Sequence, residues 1–308
     1  MAKTVREAIK QITRTHLSGG NRCFGQCLTA VGWVGGTLPE LYEEDGMVEL
    51  PMADVAASGF LTGIALAGER PIYVVRYQGF QWFNAPIIIN YAMKSKELWQ
   101  RPCPVLIRSI AMEGGIGPVA GSSHHSIYHR MPGAKIASPM TPGEYEEVYK
   151  RFMEDDEVYY ISEHRKSYDN TEELNDIICD DADITLFPIS ITRFAAEEAR
   201  KELSARGYKI NICHILWIKP FVFNSDQQKA LKNSKLGGIV LDDDYEEGVA
   251  SSIAHQIMLK THTPVCTMAL KPRSAAFHPD VDNLPPSKEE IIKKVLLLLS
   301  EKESASEL

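Results

Sequence analysis

Short β-branched apolar runs alternate with helical patterns along almost all of this 308-residue chain, and that alternation restricts the fold more than any other feature. Pro71-Ile72-Tyr73-Val74-Val75 and Pro104-Val105-Leu106-Ile107 are compact runs of the kind that fill buried parallel strands. Residues 85–99, between them, read as a helix. Residues 135–139 and 158–161 read as further strands. Thr141-Pro142-Gly143-Glu144 opens a helix between those two, with Thr as N-cap and Pro at the first helical position. An amphipathic first helix, residues 5–16, stops at Ser18-Gly19-Gly20.

A polar stretch, 166–183, interrupts the pattern, which then restarts. Residues 184–189, 210–216, 238–241 and 265–270 read as strands, and 195–206 as a helix stopped by Gly207. A last helix, 288–299, precedes a polar tail. Strand–helix alternation on both sides of the polar stretch predicts an α/β protein of two domains with mostly parallel sheets. We place them at residues 1–170 and 184–308, with 171–183 as linker.

Composition removes several classes of function. A net charge of −8 opposes nucleic acid as a partner, since phosphate binding needs a basic stripe. No apolar run approaches the length that spans a membrane, and the N-terminal helix lacks the apolar centre of a signal peptide. The six cysteines are scattered and form no C-x-x-C pair, which points to reduced, buried thiols and a cytoplasmic setting.

The segment richest in chemistry is residues 49–68. Asp54 opens a helix that is otherwise small and apolar, with Gly59 and Gly63 four apart. Such a helix is expected to be buried and closely packed. Asp54 by itself is equally a first-turn acid favoured by the helix dipole. His124 and His125 follow a glycine-rich stretch, and histidine suits proton transfer near neutrality. His125 and His129 are spaced for a metal, but no third ligand is apparent and we assign no metal site.

These residues stand in an order that resembles the β subunit of the E1 component of 2-oxoacid dehydrogenases. Leu50-Pro51-Met52-Ala53-Asp54, Gly59, Gly63 and Gly68-Glu69-Arg70-Pro71 match that family's "TPIxE", glycine-spaced helix and "GxRP". Phe80, Asn90-Tyr91-Ala92-Met93-Lys94, Arg108, His125-Ser126, Pro132-Gly133-Ala134-Lys135-Ile136 and Glu163 continue the match. Leu216-Trp217-Ile218-Lys219-Pro220 and the acidic run 242–247 extend it into the second half, so nearly the whole chain is covered.

The resemblance implies a thiamine diphosphate-binding pyrimidine fold followed by a transketolase C-terminal-like α/β domain. It implies a β-type subunit acting on a small 2-oxoacid, with decarboxylation and acyl or aldehyde transfer. Asp54 takes the place of the acid that hydrogen-bonds N1′ of the aminopyrimidine, while the cofactor supplies the difficult chemistry. Phe80 takes the place of the aromatic on the pyrimidine face, with Phe83 beside it in a pocket made more apolar. His125 inherits the position facing the substrate, with His124 as competitor. A lipoyl carrier is a further implied partner, and the acidic run reads as a strand-end loop.

Three departures qualify the resemblance. The family acid is glutamate, and an aspartate reaches roughly 1 Å less far, a displacement that can cost on the order of 100-fold in rate. Gln26 stands where an acid is usual. The segment from His125 to Pro132 is about five residues shorter than the family's. An absence is equally informative. No GDG followed some thirty residues later by Asn is present, so diphosphate and Mg2+ binding is expected from an α-type partner in an α2β2 assembly. The alternatives are half of a split transketolase or carboligase, and a non-catalytic scaffolding subunit.

Overall fold

The computed structural model describes residues 2–113, 121–274 and 283–306, so most of the glycine-rich stretch before the histidines lies outside the described residues. A capping box between Thr4 and Glu7 starts α1 (Val5–Ser18) two residues longer than its sequence pattern. After β1 (Cys23–Gly25), the stretch 32–36 is a regular left-handed turn. It forms most of α2 (Ala30–Gly36), with φ between 53° and 64° from Val31 to Gly35. Trp33 anchors it by donating Nε1–H to the Leu41 carbonyl at 3.3 Å.

Six parallel strands then assemble in the order β2-β1-β3-β4-β6-β5: β1, β2 (Met47–Glu49), β3 (Ile72–Val75), β4 (Leu106–Ala111), β5 (Ala134–Ala137) and β6 (Val158–His164). Strands β3, β4 and β6 are buried at every position, as parallel strands covered on both faces must be. Alternation divides their side chains between two cores. Tyr73 and Val75 point with Phe24, Ile107 and Tyr160 into a core that includes Ala57 and Leu61 of α3 (Asp54–Leu66). Ile72 and Val74 point the other way, with Leu106 and Tyr159, onto α1.

The helix expected at 85–99 begins earlier. It runs as α4 (Gln81–Ile87), a π-helical turn (Ile88–Ala92) and α5 (Met93–Trp99), with Pro86 inside α4. Proline removes an amide donor from the helical ladder, and a wider turn follows it here. A four-residue helix, α6 (Ser126–His129), carries the histidines, and α7 (Pro142–Glu154) starts on its Thr141 cap as the sequence predicts.

The second half forms its own parallel sheet, β11-β10-β7-β8, from β7 (Ile184–Pro188), β8 (Ile210–Ile212), β10 (Gly238–Tyr245) and β11 (Val265–Leu270). Around it lie α8 (Thr192–Ala205), α9 (Ser225–Lys232), α10 (Val249–Thr261) and α11 (Lys288–Ser306). The strand expected at 210–216 is shorter, ending at Ile212. Chain beyond β8 crosses over as β9 (Trp217–Lys219) and pairs antiparallel with β5, adding a seventh strand to the first sheet. Helix α11 runs on to Ser306, where a polar tail was expected, because Glu, Lys and Ala favour helix without any apolar face to bury. No helix among the described residues is long and apolar enough to cross a membrane.

Candidate cofactor site

In an open parallel sheet, ligands bind beyond the carboxyl ends of strands where the strand order reverses. Here the chain leaves β1 toward β2 on one side, and β3 lies on the other, so the crevice falls beyond β1 and β3. A cleft of about 170 Å³ opens at that point. Gln26 and Cys27 line it from the end of β1, Arg76 and Tyr77 from the end of β3, and Asp54 and Phe80 from the helices that follow. The strands approach so closely at the mouth that a Cβ on Gly25 would stand 2.7 Å from the Val74 carbonyl oxygen. Glycine is required there by space.

Asp54 is the first residue of α3, where the helix dipole favours a carboxylate. Its Oδ1 accepts a hydrogen bond from Asn84 Nδ2 at 3.0 Å. Its other oxygen has no hydrogen-bond partner among the described residues. Asn84 also donates to the Phe80 carbonyl at 3.1 Å and accepts from the Tyr73 hydroxyl at 2.5 Å, so its side chain is fixed on three sides. Burial, with the Asp54 charge nearby, pushes the Tyr73 hydroxyl pKa well up, which keeps it a donor. Phe80 is partly buried and lines the same cleft. Phe83 is not brought there: it is 53% exposed on the outer side of α4 and lines no part of this cleft. Gln26 Nε2 is buried and has no hydrogen-bond partner among the described residues.

The histidines occupy a different place. His125 is fully buried, with Nδ1 3.1 Å from Ser162 Oγ and Nε2 3.1 Å from Asp242 Oδ2. Burial opposes a charge on this ring, but Asp242, Asp244 and Asp243 outweigh it and raise the pKa to about 9. Ser123 Oγ donates to Asp243 Oδ2 at 2.7 Å, and Ser126 Oγ to Asp244 Oδ2 at 2.5 Å. These bonds correct the reading of the acidic run as a strand-end loop. Asp242, Asp243 and Asp244 extend β10 and are buried because the histidine segment meets them with donors.

Gly248 closes the same junction, since a Cβ there would overlap Ser126 Oγ. Ligand atoms of His125, Asp242 and Asp243 lie within 4.8 Å of one another, so the carboxylates that His125 gathers come from the second sheet.

His124 faces outward from this junction. It is 8% exposed and lines a second cleft, of about 760 Å³, with Trp82, Tyr245 and Asp244. Burial, together with the charge on His125, lowers its pKa against the opposing pull of Asp244. The two clefts share no lining residue, and the first turn of α4 separates them, with Phe80 on one side and Trp82 on the other.

The family model for the pyrimidine-binding domain of transketolase matches residues 10–171, more than half of the chain. The chain belongs to this family. The transketolase-type match ends just past β6, the last strand of the first sheet's parallel set. Over a longer span the chain is 23% identical to the 2-oxoisovalerate dehydrogenase subunit beta of Bacillus subtilis, covering 85% of this chain and 88% of that one. It is 25% identical to the mitochondrial pyruvate dehydrogenase E1 component subunit beta of Caenorhabditis elegans, covering 83% and 79%.

Identity with the acetoin:2,6-dichlorophenolindophenol oxidoreductase subunit beta of Cupriavidus necator is 23%, covering 74% and 72%. A solved structure titled as a split gene transketolase, inactive beta4 tetramer, shares the fold with a TM-score of 0.73 and 14% identity, covering 97% of this chain and 99% of that one.

Within this transketolase-type pyrimidine fold, the expected Asp54 and Phe80 line one cleft, and Asn84 and Tyr73, which sequence reasoning did not single out, are bonded beside them. A signal for Asn84 was available: it is a polar residue four positions after Phe80, hence on the same helical face. Tyr73 was read only as a strand residue. Arg108 and Glu163, noted as separate matches, form one buried ion pair, Nε to Oε1 at 2.6 Å, that ties β4 to β6 away from either cleft.

Proposed function

We propose that this chain is the β-type subunit of a thiamine diphosphate-dependent enzyme acting on a 2-oxoacid. In this reading the cleft at Asp54 and Phe80 holds the pyrimidine end of the cofactor. The observation that carries it is Asp54 itself, a carboxyl at the switch-point crevice with one oxygen fixed by Asn84, the other open, and an aromatic ring alongside. The names of the curated relatives, subunits of 2-oxoacid dehydrogenases, support the reaction class.

Thiamine diphosphate, when bound, supplies an electron sink for breaking the bond next to a carbonyl. Asp54 would hold a proton at N1′ through its open oxygen, and Asn84 fixes the shorter side chain in place. Phe80 would cover the ring face, and the buried Val75 lines the cleft beside it. His124, kept neutral by burial, is suited to accept a proton, and His125 positions it through the bonds to β10.

The diphosphate and Mg2+ belong in this reading to an α-type subunit, in an α2β2 assembly in the cytoplasm. The exposed apolar side chains Met52 (80%), Val55 (55%) and Leu66 (48%) on and beside α3, and Phe83 on α4, support a covering partner there. The six unpaired cysteines fit a reducing compartment. In this reading the chain divides into units at 1–170 and 184–308 joined by a linker at 171–183, with β9 pairing from the second unit's side onto the first sheet. A lipoyl carrier would reach the complex from outside. Half of a split transketolase remains the second reading, carried by the fold likeness over nearly the whole of both chains.

The test is Asp54→Ala in the complex reconstituted with the α-type chain. Calorimetric titration with thiamine diphosphate and turnover of a 2-oxoacid panel should both fall sharply. Unchanged turnover would leave only the scaffolding role.

A further inference from the structure

The junction of the two sheets buries more negative charge than the described residues around it neutralise. Asp242, Asp243 and Asp244 are each at most 2% exposed. His125 stands 3.1 Å from Asp242 and 3.7 Å from Asp244, and a proton on its ring answers one of the three charges. His164, another ring whose charge reaches Asp243, is taken by Glu113. A buried carboxylate without a countercharge is strongly unfavourable. One of these oxygens also lacks a donor: Asp243 Oδ1 is buried with no hydrogen-bond partner among the described residues.

Three members of the cluster are held from behind. His125 Nδ1 lies 3.1 Å from Ser162 Oγ, which fixes the ring and leaves Nε2 toward the acids. Asp242 Oδ1 accepts the Asp243 amide hydrogen at 2.8 Å, leaving Oδ2 toward His125. Asp243 Oδ2 accepts from the Ser123 and Ser190 hydroxyls at 2.7 and 2.9 Å, leaving Oδ1 over. Side chains oriented through their other polar atom are what a metal site requires of its ligands. One ligand atom from each of the three lies within 4.8 Å of the others. Asp244, served by the Ser126 and Tyr245 amides, stays outside the set.

We propose that His125, Asp242 and Asp243 form a site for a divalent cation of the Mn2+ or Zn2+ type, which locks the histidine segment to β10. Two carboxylates match the charge of a divalent ion, and the ion takes the place of the ring's proton, which leaves to solvent. An imidazole among the ligands favours Mn2+ through Zn2+ over Mg2+ or Ca2+, which prefer oxygen donors alone. None of the three residues lines either cleft, so the site is independent of the cofactor reading. Sequence spacing does not announce it, because β10 brings Asp242 to His125 from 117 residues along the chain.

The experiment takes the full chain, stripped with a chelator, and titrates it with Mn2+, an ion that thiols bind weakly. Electron paramagnetic resonance should show one Mn2+ bound per chain. At 100 times the dissociation constant the folding equilibrium should shift about 100-fold toward the native state, read as a raised urea midpoint. Asp243→Asn removes a ligand charge and keeps the shape. It should abolish both the binding and the urea shift, while the stripped chain stays as stable as wild type or becomes more so. An unchanged wild-type midpoint, or no bound ion, overturns the site. Equal binding by wild type and Asp243→Asn also overturns it, by placing the ion on surface groups. Should the variant fail to fold, pulsed resonance on the wild-type chain decides: one imidazole nitrogen coupled to Mn2+ is expected, and none overturns the proposal.

Discussion

Asn84 joins the first turn of α4 to the head of α3 by donating its amide hydrogen to Asp54 across 3.0 Å. A carboxyl one methylene shorter than glutamate depends on being held where it is needed, and this bond, braced by the Tyr73 hydroxyl, does the holding. Asn84→Ala should therefore reduce turnover about 10- to 100-fold, the scale of a small misplacement. It also strands the buried Tyr73 hydroxyl, at about 1–3 kcal/mol. Steady-state kinetics and thermal unfolding on one preparation check both. Full activity with lowered stability would confine Asn84 to the core.

His125 links the two sheets through a buried pair with Asp242, and its removal takes that partner from Asp242 beside two further buried carboxylates, Asp243 and Asp244. His125→Asn should cost about 3–5 kcal/mol near neutral pH. Because the folded ring holds its proton more tightly than an unfolded one, this contribution is complete below about 6.5 and fades as pH rises through about 9.

Two neighbours of the ring titrate below that window. Burial lowers His129 to about 4, and burial raises Asp243 only to about 6. Asp242, Asp244 and His124 complete the shell. Urea unfolding of wild type and variant from pH 6 to 10 should show the two curves converging. A constant gap would mean the ring acts by shape alone.

Local pattern made β3 to β8, β10 and β11 legible, because parallel strands buried on two faces must be short β-branched runs, while the three-residue β1 and β2 escaped it. The crossing of β9 was not legible: Trp217-Ile218-Lys219 continues the apolar run of β8, and only tertiary pairing decides which sheet receives it. Asp54 was visible from its place at the head of an apolar helix. The burial of Asp242–Asp244 was not, since three acids in a row read as solvated until the Ser123, His125 and Ser126 donors are known. The histidines were found as a pair, but their opposite orientations depend on that same junction.

Those orientations divide their roles. His124→Asn should lower kcat about 100-fold or more, the usual share of a proton-transfer group, with little loss of stability. As burial depresses the His124 pKa, the acid limb of the wild-type pH–rate profile should lie below 6.5 and disappear in the variant. An unchanged profile would remove His124 from the chemistry.

Gly63 separates the fold of the single chain from its assembly. The glycine face of α3, expected from sequence to be closely packed, meets Ile87 at Gly59 but is open at Gly63, where a Cβ meets nothing within 4 Å. Glycine inside a helix costs about 1 kcal/mol against other residues, so Gly63→Leu should leave the lone chain equally or more stable. A partner approaching that face closely would be blocked by the same side chain. Thermal unfolding of the isolated chain should therefore hold or rise, while co-purification with the α-type subunit and thiamine diphosphate-dependent turnover fall together. Retention of the complex by Gly63→Leu would place the α contact on another face and leave the exposed stripe of α3 unexplained by it.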